Sequence, residues 1–199
     1  MLTHEFIALL KSKNIIKTGH FKLTSGRHSD TFINKDAMYS DPEIFNYIVN
    51  RMAYDVCDIR NINTVTTGPA IAGAVLAAVV ACASRTIFVY PEKADVEWDG
   101  QILKQMIFRR GYDKVLKGKE VILIEDIITT GGSLELTMES IEKCGGKVVG
   151  VFAIWNRGTW KPKDSNIVFK TIVTQSVESY IPEECPNCLN NIPIQDPKA

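Results

Sequence analysis

The chain has no net charge. Its 199 residues carry 23 Lys and Arg against 23 Asp and Glu. That balance argues against non-specific nucleic-acid binding, which needs a net or clustered positive field, so any anion site must be local. The chain also lacks a long hydrophobic run. The longest, residues 70–83, has 14 residues and is rich in Ala and Gly. A membrane span needs about 20, so this run reads as a core helix. The opening stretch, MLTHEFIALLKSKN, has no basic segment ahead of its apolar residues, and Glu5 interrupts them. It reads as an amphipathic first helix with Phe6, Leu9 and Leu10 on one face, not as a secretory signal. Cysteines are few and odd in number: Cys57, Cys82, Cys144, Cys185 and Cys188. Together these features point to mostly free thiols and a cytoplasmic protein with neither membrane nor nucleic acid as partner.

Several motifs are missing as well. There is no G-x-x-x-x-G-K-[ST] and no G-x-G-x-x-G, which removes the main support for ATPase or dinucleotide-binding activity. His4-Glu5 has no second histidine at metalloprotease spacing. The chain has no internal repeat, low-complexity tract or linker, and its length suits one domain.

What is present is a series of short apolar strands alternating with helices. Residues 62–66 are β-prone and lead into TTGPAIAG and the Ala-rich helix. RTIFVY (residues 85–90) reads as the next strand. Residues 91–119 are polar, with few helix or strand signals before Ile102. A third strand covers residues 121–124. The following helix carries Leu134, Met138 and Ile141 on one face and stops at Gly145-Gly146. KVVGVFAIW and NIVFKTIVT supply two more strands. Continuous apolar strands between helices imply a parallel sheet covered on both faces. The fold class expected is α/β: a single doubly wound domain over residues 1–199 with a central parallel sheet.

One stretch carries the most chemistry: VILIEDIITTGGS, residues 121–133. The turn Thr129, Thr130, Gly131, Gly132, Ser133 opens a helix with hydroxyls and unpaired amides, and a helix N-terminus favours an anion. Each such dipole interaction contributes only about 0.3–1 kcal/mol, so several donors must converge to hold a phosphate. Glycine lets the backbone approach closely. The adjacent acids Glu125 and Asp126 should repel a bare phosphate ester. They make sense if the ligand also brings hydroxyls, as a ribose 5-phosphate does. An acid under the ring could in addition stabilise positive charge growing at the anomeric carbon. TTGPAIAG is a second glycine-rich turn, and two such turns from neighbouring strands could face one crevice.

These residues resemble those of a known family. VILIEDIITTGGS is similar to the phosphoribosyl pyrophosphate (PRPP) motif of type I phosphoribosyltransferases, and its Thr-Thr-Gly-Gly-Ser form resembles that of orotate phosphoribosyltransferases. FKLTSGRHSDTFIN (residues 21–34) is similar to their N-terminal hood segment. TTGPAIAGAVLA is similar to their pyrophosphate loop, and Arg157 falls where an orotate-contacting arginine falls. The resemblance covers nearly the whole chain. It implies transfer of a phosphoribosyl group from PRPP to orotate, with Mg2+ as cofactor held mainly through PRPP and water, in a homodimer. It also implies a small hood made of about residues 1–35 plus the C-terminal tail, and a mobile catalytic loop over residues 91–111.

The PRPP-binding residues implied are Glu125 to Ser133, including Ile127 and Ile128, with Gly68, Pro69 and Ala70. Those implied for orotate are Thr129, Arg157, Ser25, Gly26 and Phe32. The catalytic candidates are Asp126, Glu125, Lys93, Arg109 and Arg110. The usual Lys-x-His-Gly loop pattern is absent; Lys93, Lys104, Arg109 and Arg110 are the cations offered instead. Ala72 and Thr24 stand where many members carry lysine. Two alternatives stay open: transfer to another base, and a non-catalytic sensor of PRPP. Cys185-Pro-Asn-Cys188 has zinc-ligand spacing but no second pair, and it reads as a plain structural tail.

Overall fold

The computed structural model describes residues 1–196 apart from Thr24 and Asp99, so the exchange of lysine for Thr24 lies outside the described residues. In chain order the elements are α1 (Thr3–Ser12), β1 (Ile16–Lys22), β2 (His28–Ile33), α2 (Lys35–Ser40), α3 (Pro42–Ile59), β3 (Thr64–Thr67), α4 (Ala72–Ser84), β4 (Ile87–Phe88), β5 (Glu92–Trp98), β6 (Gln101–Ile107), α5 (Tyr112–Leu116), β7 (Glu120–Ile128), α6 (Gly132–Lys143), β8 (Lys147–Asn156), β9 (Val168–Thr174) and α7 (Pro186–Leu189). A single 3-10 turn, Pro182–Glu184, precedes α7. The chain forms two compact units, Met1–Asn46 with the segment from Gln175 onward, and Tyr47–Thr174.

In the first unit, α1 is an amphipathic helix, as its pattern requires. Phe6 and Leu10, four residues apart, are fully buried. Glu5 accepts a hydrogen bond from the Leu2 amide at 2.7 Å and so helps close the helix start. β1 and β2 form an antiparallel hairpin with Ile16 opposite Ile33, and a register shift lies between Thr18 and Phe21.

The second unit holds a five-stranded sheet in the order β4-β3-β7-β8-β9, with every pair parallel. From β3 the chain crosses to β4 on one side; from β7 it crosses to β8 on the other. Crossovers of one hand running in opposite directions put their helices on opposite faces. Thus α4 packs on β3 and β7 while α6 packs on β7 and β8. Both faces of β7 are covered, which is why Val121, Ile122, Leu123 and Ile124 are all fully buried. Val65, Val121, Leu123 and Val151 form one core with Leu134 and Ile141 of α6. Met138, the third residue of the expected stripe, is partly buried against it. α6 ends as the glycine pair dictates: Gly145 takes φ +79, and the Gly146 amide bonds back to the Ile141 carbonyl at 3.0 Å.

On the outer side, Lys170 of β9 ties down α3 through Asp55 and Asp58, each at 3.0 Å. Burial works against the Lys170 charge, but hydrogen bonds to Asp58 and Asp55 outweigh it, so its pKa is raised. Among the described residues, no helix is long and apolar enough to cross a membrane.

Three elements differ from the sequence expectation. Residues 92–107 form an antiparallel hairpin, β5–β6, with Asp95 opposite Lys104. β5 alternates half-buried Ala94 and Val96 with exposed Lys93, Asp95 and Glu97, but Gln101 to Lys104 of β6 are all exposed, so the pair as a whole carries no apolar alternation. β4 has two residues rather than six. β7 does not stop at Ile124 but runs on to Ile128, so both acids lie inside the strand and not beyond its end.

Candidate active site

The strand order reverses between β3 and β7. In open parallel sheets, ligands bind outside the carboxyl ends of the strands at such a point. The turn after β3 lies against β7 there. A Cβ on Gly68 would lie 2.4 Å from the Ile124 carbonyl oxygen, and one on Gly73 would lie 2.9 Å from Glu125 Oε1. Those distances leave no room for any side chain at either glycine. Between them, Pro69 is buried, Ala70 is half-buried, and the Ala70–Ile71 peptide is cis. Thr67, the last residue of β3, has a buried hydroxyl with no hydrogen-bond partner among the described residues.

Glu125 and Asp126 are 8% and 4% exposed. Glu125 Oε1 accepts the Asp126 amide at 3.0 Å, and Asp126 Oδ1 accepts the Ile127 amide at 2.6 Å. Each carboxylate is therefore anchored by a neighbouring backbone N–H. Glu125 and residues 127–134 line a small cup of about 60 Å³. Ile128 is buried and Ile127 half-buried, while Thr129, Thr130, Gly132 and Ser133 are exposed around the rim. Gly131 takes φ +81 and caps α6 without a side chain. The first turn of α6 thus lines the cup, and the unpaired amides of a helix N-terminus suit an anion.

A neighbouring loop fixes this turn. A Cβ on Gly131 would fall 2.0 Å from Cδ1 of Trp160. Trp160 Nε1 donates to Glu135 of α6 at 3.4 Å, and its ring meets Phe169 edge-on at 5.5 Å. Asn156 at the end of β8 donates from Nδ2 to the Trp160 carbonyl at 2.9 Å. Gly158 has the Thr129 carbonyl 2.7 Å from where its Cβ would stand. The residues from Asn156 to Trp160 therefore form a cradle under the 129–133 turn. Sequence reasoning singled out Arg157 and the TTGPAIAG turn that contains Thr67, but not Gly158 or Trp160. A tryptophan just past a strand end, next to a glycine, was the available signal.

Arg157 follows β8 directly. Its amide donates to the Ile128 carbonyl at 2.8 Å, which sets it beside the end of β7. Its Nε is buried and has no hydrogen-bond partner among the described residues. Burial lowers the guanidinium pKa from its ordinary value. A buried cationic donor left unmatched is costly, and an anionic ligand would relieve it.

The cations of residues 91–111 separate into two sets. Lys93 and Lys104 line a cavity of about 440 Å³ together with Ser133 and Leu136 of α6. Arg109 and Arg110 sit at the base of the hairpin on Glu92, at 3.8 and 2.9 Å, and Arg110 also donates to Tyr90 Oη. Ser25, Gly26 and Phe32 belong to the first unit. Ser25 and Gly26 lie in the turn joining β1 to β2, where Gly26 takes φ +80; Phe32 sits on β2 with its ring 5.7 Å from that of Phe21.

The cradle makes a double-mutant test. Gly131→Ala pays about 1–2 kcal/mol for a left-handed backbone and a further steric cost against Trp160. In a Trp160→Ala background only the backbone cost should remain. Urea unfolding of the four proteins measures both; an equal Gly131→Ala penalty in the two backgrounds refutes the cradle.

Residues 38–184 match the model of the phosphoribosyl transferase domain. The chain is 32% identical over 197 residues to an orotate phosphoribosyltransferase of Caldanaerobacter subterraneus, covering 99% of this chain and 97% of that one. It is 34% identical over 197 residues to an orotate phosphoribosyltransferase of Chlorobaculum parvum, covering 99% and 96%. The crystal structure of orotate phosphoribosyltransferase from Aeropyrum pernix superposes with a TM-score of 0.61 at 21% identity, covering 87% of this chain and 93% of that one. A likeness at that identity speaks for the fold, and the doubly wound sheet agrees with it. With the family's motif set at the switch point of that sheet, and relatives matched end to end, the chain belongs to the phosphoribosyltransferase family, among the orotate phosphoribosyltransferases.

Proposed function

We propose that this chain transfers the 5-phosphoribosyl group of PRPP to orotate, giving orotidine 5′-monophosphate and pyrophosphate in pyrimidine biosynthesis. The observation that carries the choice of base is Arg157, whose buried Nε has no partner among the described residues beside the end of β7. Orotate bears a carboxylate, and a planar guanidinium suits a carboxylate in two parallel hydrogen bonds. An uncharged purine gives this group nothing of that kind. A sensor that binds PRPP would need the same acids for the ribose hydroxyls, so turnover itself separates it from an enzyme.

In this reading the amides and hydroxyls of Thr129 to Ser133 hold the 5-phosphate. Glu125 and Asp126 accept the ribose hydroxyls, and their charge favours the cationic character that grows on the ring as the anomeric C–O bond breaks. The turn from Gly68 to Gly73 presents amides to the pyrophosphate. Lys93 and Lys104, sharing a cavity with Ser133, supply positive charge to the phosphates. Arg109 and Arg110 would have to leave Glu92 to join them. Loop closure would exclude water. Ser25, Gly26 and Phe32 keep the orotate role that the likeness of their segment gives them.

Glu125 and Asp126 offer hard oxygen donors, but among the described residues no group of three carboxylates gathers around them. They fit a Mg2+ ion held mainly through substrate oxygens and water. Such an ion supplies charge neutralisation to the leaving pyrophosphate. The unpaired thiols fit a place in the cytoplasm.

A homodimer belongs to the same reading. Ile71, just before α4, and Val75 and Val79 on it are 76%, 49% and 39% exposed and spaced four residues apart, an apolar stripe. A second copy of the chain would cover it.

Turnover is followed by the loss of orotate absorbance with PRPP and Mg2+. Arg157→Ala should raise the orotate KM about tenfold to a hundredfold, since a charge-assisted hydrogen bond contributes about 1.5–3 kcal/mol, and leave the PRPP KM nearly unchanged. Equal effects on both constants sink the assignment. Asp126→Asn should lower kcat at least about tenfold with the fold intact by circular dichroism; unchanged turnover makes the acid structural. Val75→Glu should convert a sedimenting dimer to a monomer, and a wild type that already sediments as a monomer ends the dimer reading.

A further inference from the structure

The C-terminal tail carries a cluster that the transfer reaction does not use. Cys185 and Cys188, at the start and within α7, meet two histidines from the β1–β2 hairpin, His20 and His28. One ligand atom from each of the four lies within 4.8 Å of every other. His20 Nε2 stands 2.9 Å from His28 Nδ1 and 3.6 Å from each sulfur, and His28 Nδ1 stands 3.2 Å from the Cys188 sulfur. His20, His28 and Cys185 are 1%, 4% and 1% exposed.

Hydrogen bonding alone does not account for this convergence. His20 Nδ1 lies 2.6 Å from the Ile192 carbonyl, a pure acceptor, so Nδ1 carries the proton and Nε2 has a single lone pair. Three groups crowd that one lone pair: an imidazole nitrogen and two thiols. A cation at their centre accepts all four groups as donors. Zn–S bonds of about 2.3 Å and Zn–N bonds of about 2.0–2.1 Å set tetrahedral edges of roughly 3.3–3.8 Å, close to the spacings found here. The hydrogen bond from His20 Nδ1 to the backbone also fixes the tautomer that a metal-binding Nε2 requires.

We propose that His20, His28, Cys185 and Cys188 form a structural zinc site of Cys2His2 composition. Four protein ligands, three of them buried, leave no open position for catalysis. The site clamps the tail to the hairpin. His28 pairs its backbone with Tyr180 through two 2.8 Å hydrogen bonds, and the Gln195 amide donates to the His20 carbonyl at 2.7 Å. A Cβ on Gly19 would overlap Gln195 Oε1 at 2.1 Å, so the tail lies directly on β1. The ligands are two short pairs far apart in the sequence, His-x7-His and Cys-x2-Cys. The site lies wholly in the first unit and does not rest on the assignment of the base or of the catalytic residues.

The test is made on the untagged full chain purified without chelator. Elemental analysis should find one zinc per chain, and the zinc edge X-ray absorption should show two sulfurs at about 2.3 Å and two nitrogens at about 2.0–2.1 Å. Protein stripped with a chelator and given Co2+ alone should show the visible bands of a tetrahedral centre with thiolate charge transfer. Cys185→Ser with Cys188→Ser should lose both the zinc and the cobalt spectrum. Zinc retained by that double variant overturns the proposal. So does a wild type that holds no zinc and gives no thiolate–cobalt bands, or a zinc shell made only of nitrogen and oxygen. The wild-type measurements stand even if the double variant does not fold.

Discussion

The parallel pairing of β3 with β7 is the contact on which the second unit depends. These strands lie side by side, yet the chain leaves them in opposite directions across the sheet. Only at such a junction do two strand ends stand together without a crossover helix between them. The pairing brings the Gly68 turn against Ile124 and Glu125, at distances that tolerate glycine alone. It also explains why the apolar run of β7 is buried on both faces. With α4 on one face and α6 on the other, every apolar residue from Val121 to Ile124 loses its water. The same burial raises the cost of charge at the strand's end. Glu125 and Asp126 can sit there because backbone amides of Asp126 and Ile127 donate to them.

Charge at this end of the sheet is arranged locally, as a chain of zero net charge demands. The acids lie in the strand, the residues that open α6 surround the cup, and Arg157 stands at the next strand end. Arg157 belongs to the cradle from Asn156 to Trp160, which packs against the turn and locks it into one backbone conformation. A phosphate site made of weak dipoles needs such rigidity. Each amide contributes little, and their sum is useful only if ordering them costs little on binding. Trp160 thus does for the turn what Gly131 permits: it leaves the backbone one place to be.

Much of this was legible in the sequence, and the exceptions have physical reasons. β3, β7 and β8 announce themselves because they are buried on both sides. α6 was readable from Leu134, Met138 and Ile141, and its end from two glycines. Arg157 was legible only through resemblance, since an arginine after a strand is usually a surface residue. The β5–β6 hairpin was not legible, because the alternation in KADVEW is short and rich in charge and its partner QILKQMI shows none. Its order comes from backbone pairing and from contacts of β6 with α6. The end of β7 was misjudged because charged residues normally mark a strand's exit into solvent, and here backbone hydrogen bonds let them stay inside.

The histidine–cysteine cluster belongs to a different class of illegible feature. A single Cys-x-x-Cys has many uses, and nothing local distinguishes a metal ligand from a plain turn. The information lies in the pairing of sequence-distant segments: an antiparallel hairpin near the start and a short turn near the end. A tail with few apolar side chains has little hydrophobic surface to bury, and the residues after Pro186 are mostly exposed. A tetrahedral centre would replace that missing burial with a few strong bonds, as it does in domains too small to build a core. The two units would then hold themselves together by different means: the second through a doubly covered sheet, the first through a modest apolar core supplemented by four ligands at one point.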